Sequence, residues 1–209
     1  MTLSRSFNSR LLLWASASFA LVIGAMLTSA FVYQAQSGSA SEPVTQAEID
    51  LIQPWYTLLG YTLLVPITLG AIASTGLARS APRPRLALVV TGLWILVVIA
   101  GIAYAIAWHS SMQFSEAAHS DSPAAVAAQW LVRGGVMPLA CIATGVLAYQ
   151  FGARYVVAVC AVILVGTVSL ALAGIDLPPA VLVLAWIPLG VRGIRAAKQI
   201  SPAAVPIPS

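Results

Sequence analysis

Charge is what this chain has least of. Only 8% of its 209 residues are charged, against about a quarter in ordinary soluble domains. With 60% of the residues apolar, it lacks the polar surface that a water-soluble globule needs. Lysine occurs once, and six carboxylates make up the whole acidic complement. The two cysteines, Cys141 and Cys160, both fall inside apolar runs. Neither a disulfide framework nor a thiolate metal site is therefore expected. The absences also bear on chemistry. No Asp or Glu lies within an apolar stretch, which argues against a proton or cation relay through carboxylates. No mid-span His is available for a bis-His haem, and no mid-span Lys for a Schiff base. There is no HExxH, no phosphate-binding glycine loop and no basic groove interleaved with aromatics. No catalytic residue and no cofactor is predicted. Nucleic acid is not an expected partner either, because the +4 net charge is scattered along the chain.

What is present is a succession of apolar stretches of membrane-crossing length. They predict an all-α integral membrane protein, a six-span transmembrane helical bundle forming a single membrane domain over 1–209. The expected spans are 11–33, 55–78, 86–108, 124–151, 155–173 and 179–194. The first could be a secretory signal, since Thr28-Ser29-Ala30 and Gly38-Ser39-Ala40 resemble cleavage sites. Its apolar run is about 23 residues, longer than the 7–15 of a signal sequence, so a retained span is the expectation. Pro66 and Pro138 are expected to kink the second and fourth spans at nearly the same depth, and Pro188 disturbs the sixth. Residues 201–209 read as a disordered Pro-rich tail.

The charges partition along this count. Arg5, Arg10, Arg79, Arg83, Arg85, Arg154, Arg192, Arg195 and Lys198 fall on the side of the termini. Glu42, Glu48, Asp50, Glu116, Asp121 and Asp176 all fall on the other. The positive-inside rule then places both termini in the cytoplasm of a multi-pass plasma-membrane protein.

An internal repeat is also legible. Shifting the chain by 75 residues overlays Arg10–Tyr33 and Trp55–Arg79 on later segments with 15 identities in 49 pairs, among them Trp55/Trp130, Gly70/Gly145 and Arg79/Arg154. This predicts a tandem duplication of a two-helix hairpin, residues 1–79 repeated at 85–154.

Arg133 is the one cation that the charge partition leaves over. It can snorkel to the outer headgroups, pair with an outer-loop acid, or contact an anion or substrate. Gly134 and Gly135 beside it would let a helix or ligand approach closely, and with Pro138 and Pro66 they complete the candidate contact set. His109, Glu116, His119 and Asp121 share one outer loop and are weak metal candidates without dense ligand spacing, so no metal site is expected. The predicted function is that of a non-catalytic small polytopic membrane protein, an accessory or structural subunit packing against a larger membrane complex. The alternative is a small transporter or permease for a neutral or anionic solute. The expected partners are the lipid bilayer, other membrane subunits or further copies of the chain.

Overall fold

The computed structural model describes residues 2–36, 61–62, 64–112, 135–172 and 179–200. These residues are helical apart from short turns, with no strand among them. The helices are α1 (Thr2–Gln36), α2 (Leu64–Arg79), α3 (Pro84–Met112), α4 (Met137–Gln150), α5 (Arg154–Leu172) and α6 (Val183–Ile200), the last preceded by a 3-10 turn, Pro179–Leu182. Four stretches are long and apolar enough to cross a membrane: Arg5–Ala25, Pro84–Ala103, Arg154–Leu172 and Pro179–Ala197. At about 1.5 Å per residue, 19 residues span roughly 28 Å, close to the thickness of a hydrocarbon core. The described parts of α2 and α4 are shorter apolar helices of 16 and 14 residues.

The outer surface supports a membrane setting. Leu21 is 75% exposed and Leu172 85%, and further large apolar side chains stand outward on every helix. In water such a coat would drive association, whereas in lipid it is the natural solvent contact. The small residues face inward instead. Ala15, Ala73, Ala78, Ala140, Ala143, Ala148 and Ala185 are fully buried, which lets the helix backbones approach closely. Hydroxyls are satisfied locally: Ser16 donates to the Leu12 carbonyl, Thr91 to Ala87 and Thr167 to Ile163. A hydroxyl bonded to its own helix can be buried at little cost.

Neighbours in the chain are neighbours in space. α1 packs on α2, α2 on α3, α3 on α4 and α4 on α5, while α6 returns to lie chiefly against α1. Two hairpins show why the chain reverses where it does. After α4, Gly152 takes a left-handed φ of +63°, and the Ala153 and Gly152 N–H groups donate to the carbonyls of Ala148 and Tyr149 at 2.9 and 3.0 Å. This Schellman-type ending uses glycine where a side chain would be strained. After α2, Ser80 N–H donates to Leu77 and Ala81 N–H to Ala78, both at 3.0 Å, and Pro84 opens α3.

Several helices outrun their expected limits. α1 begins at Thr2 instead of Leu11, and α6 continues to Ile200 instead of 194. The expected limits are those of apolar spans, and a helix can continue through polar flanks. In α6 the exposed residues Arg192 and Arg195 alternate with buried Gly193 and Ala197, so the polar turns keep a packed face. The tail 201–209 and all six acids lie outside the described residues.

Candidate functional site

The centre of the bundle is Trp186 of α6, which has no exposed surface. It meets four other helices. Its ring lies 5.6 Å from that of Phe19 in α1 and 5.9 Å from that of Trp94 in α3, both tilted. Its indole Nε1 donates to Thr144 Oγ1 of α4 at 3.2 Å, a hydrogen bond between distant helices. On α2 it lies against Gly70, where a Cβ would come within 2.6 Å of Cζ2 and 2.9 Å of Cζ3. Only glycine leaves room for the ring there. The arrangement fills the middle of the bundle with aromatic surface and gives its one polar atom a partner.

At one end of the bundle the start of α1, the ends of α2, α4 and α6, and the start of α5 come together. Gly76 and Gly193 admit Asn8 and Ser9 of α1 against their backbones, and Gly190 lies where a Cβ would be 3.0 Å from the Ser9 carbonyl. This is the arginine-rich end. The Arg5 guanidinium carbon sits 4.4 Å over the Phe151 ring, and that of Arg83 sits 5.5 Å from the Tyr149 ring. Arg5 and Arg192 line one small pocket of about 110 Å³ together with Leu77, Phe151, Leu189 and Gly193. A larger groove of about 700 Å³ runs on the surface between α2 and α3, from Arg79 and Asn8 past Thr75 and Thr91 to Ile95 and Ile99. Trp94 forms part of its wall, and its buried Nε1 has no hydrogen-bond partner among the described residues.

None of the contact or metal candidates singled out in the sequence is among the described lining of the groove or the pocket. Arg133, Gly134, Glu116, His119 and Asp121 fall outside the described residues, and His109 lies in the last turns of α3. Gly135 and Val136 form a wide π-helical turn ahead of α4, and a Cβ at Gly135 would lie 3.7 Å from Ala100, an ordinary contact. Pro138 stands in the first turn of α4, and a π turn beside it fits a helix accommodating a missing N–H. Pro66 is buried in the first turn of the described α2. Neither proline lines the groove or the pocket. Among the described residues no three His, Cys, Asp or Glu are grouped to hold a metal. Cys141 and Cys160 are buried free thiols.

The repeat register has a mixed counterpart. At the shift of 75, Phe19 corresponds to Trp94, and both are buried against Trp186. Leu12 and Ala15 correspond to Ala87 and Val90, also buried, and the Ser16 and Thr91 hydroxyls bond back alike. In α2 and α4 the buried faces coincide at a shift of 70 instead: Ile67, Ala71, Ser74, Leu77 and Ala78 match Met137, Cys141, Thr144, Leu147 and Ala148.

The sequence reading missed Trp186, Phe19, Trp94, Arg5 and Arg192 as parts of a site. A signal existed for the tryptophans. Trp94 and Trp186 stand inside apolar runs, away from the interfaces where the aromatic belt lies. The pairing of Arg5 with Arg192 carries no local signal, because 187 positions separate them. No protein-family model matches the chain, and no curated protein or solved structure does either.

Proposed function

We propose that the chain is a six-span, non-catalytic membrane protein that works as an accessory or structural subunit of a larger membrane complex, in the plasma membrane with both termini cytoplasmic. In this reading α2 and α4 are the inner parts of two further spans, and the first helix of each hairpin descends from a duplicated ancestor. The correspondence of Phe19 with Trp94 around Trp186 supports the duplication in that half. The arginine-rich end supports the orientation, since cations concentrate on the cytoplasmic side.

One observation carries the functional reading. Trp186, Phe19 and Trp94 fill the middle of the bundle, where a solute path between the helices would have to run. A groove of about 700 Å³ lies on the flank of the bundle and not along its axis. A packed axis and an apolar outer face suit lateral association better than conduction. The transporter alternative would need the aromatic hub to move aside as a unit.

The test is purification in a mild detergent from its own membrane. A stoichiometric protein partner is the expected result. A lone, monodisperse particle that also moves a neutral or anionic solute into liposomes would overturn the subunit reading in favour of the permease.

A further inference from the structure

The pocket at the arginine-rich end is lined by two arginines, and no described residue supplies a counter-charge. Arg5 is fixed by the Phe151 ring at 4.4 Å, yet its buried Nε has no hydrogen-bond partner. Arg192 folds back toward the α4–α5 turn, with one terminal nitrogen 3.8 Å from where a Gly152 Cβ would lie. Neither side chain forms an ion pair or a hydrogen bond among the described residues. All six carboxylates of the chain lie in the segments around 42–50, 116–121 and 176.

Two arginines beside a helix C-terminus could simply balance its exposed carbonyls. Here the turn has already used them: Leu147, Ala148 and Tyr149 accept from Phe151, Ala153 and Gly152 N–H. The pocket, of about 110 Å³, has apolar walls in Leu77 and Leu189; Arg192 is exposed at its rim, while the buried Arg5 Nε is reached by neither solvent nor a partner among the described residues. Planar guanidinium forks match the paired oxygens of a phosphate or a carboxylate, and phosphate esters are the abundant anion at a membrane surface. The depth is also that of a headgroup. Arg5 is the first residue of the apolar stretch Arg5–Ala25, and Arg192 stands in the last turns of Pro179–Ala197.

We propose that the Arg5–Arg192 pocket binds a phosphate-ester oxyanion, supplied by the headgroup of an acidic phospholipid in the leaflet at that end. The proposal rests on reading the helices as membrane spans and is independent of the subunit assignment. The lipid head enters the pocket beside Phe151, its oxygens facing Arg5 and Arg192, and its acyl chains run along the apolar outer face.

The full chain is placed in nanodiscs of phosphatidylcholine alone or with phosphatidylglycerol, and retained lipid is counted by native mass spectrometry. Inorganic phosphate added to the phosphatidylcholine discs forms a separate arm, read by thermal unfolding. Phosphatidylglycerol is expected to be retained and phosphatidylcholine lost. Arg192→Gln should weaken retention about fivefold, the factor that corresponds to about 1 kcal/mol per basic residue. Arg5→Lys, which keeps a cation over Phe151, should fold and hold the lipid better than Arg5→Gln. The exposed Arg195→Gln, at the same end but outside the pocket, should leave retention unchanged. Equal retention of the two lipids, or equal losses from Arg192→Gln and Arg195→Gln, would overturn the site. Stabilisation by inorganic phosphate with no preference for phosphatidylglycerol would overturn the lipid source and uphold the oxyanion.

Discussion

Adding one methyl group at Gly70 should disturb the whole middle of the bundle. A Cβ there would lie 2.6 and 2.9 Å from Cζ2 and Cζ3 of Trp186, well inside contact distance, and the obstruction is a buried ring with no free space to enter. Gly70→Ala gains up to about 1 kcal/mol of helix propensity. Against this stands overpacking of about 1–3 kcal/mol. Displacing the indole further strains its hydrogen bond to Thr144 and its two aromatic contacts, each aromatic pair contributing about 0.5–1.5 kcal/mol. The net expectation is a loss of about 1–3 kcal/mol. Gly92→Ala is the control, because a Cβ at Gly92 meets nothing within 4 Å. It should be neutral or mildly stabilising. Unfolding in mixed micelles of increasing dodecyl sulfate fraction, followed by circular dichroism, measures both. The decisive comparison is Gly70→Ala in a Trp186→Leu background, where the obstructing ring is gone and most of the penalty should vanish. A coupling energy below about 0.5 kcal/mol, the level of independent sites, would refute the close approach of α2 to α6.

Three further outcomes follow from the same geometry. Thr144→Val removes the acceptor of a buried indole N–H, and should cost about 1–3 kcal/mol in the same unfolding assay while Thr91→Val, which loses only a bond to its own helix, costs less. Gly152→Ala places a side chain at φ +63°, and a penalty of about 1–2 kcal/mol is expected, with thermal unfolding as the readout. Cysteines placed at the exposed positions Arg83 and Arg195 should react together with an impermeant maleimide only after the cells are opened, while the buried Cys141 and Cys160 stay unlabelled; labelling of either introduced thiol on intact cells contradicts the assigned orientation.

The sequence made the helices legible and left their mutual arrangement hidden. Length and apolarity located the four helices long enough to cross a membrane, because a hydrocarbon layer sets both in a way that single residues register directly. Helix ends were less legible. Ser9 and Arg5 read as polar flank, yet the Ser9 hydroxyl bonds the Arg5 carbonyl within α1, and polarity alone does not say whether a backbone has stopped coiling. The proline positions carry no sign of the groove, which opens between α2 and α3. Which side of a uniformly apolar helix faces inward depends on its neighbours, and no periodicity records it. The hub was hidden for that reason: Gly70 makes sense only once Trp186 is set against it, 116 positions later in the chain.

That separation has a consequence for how the molecule is made. Gly70, Thr144, Phe19 and Trp94, one on each of the helices α1 to α4, surround the place that the Trp186 ring fills. The plug arrives on α6, last of the helices to leave the ribosome. Until it is made, the four earlier helices lack the residue that touches all of them.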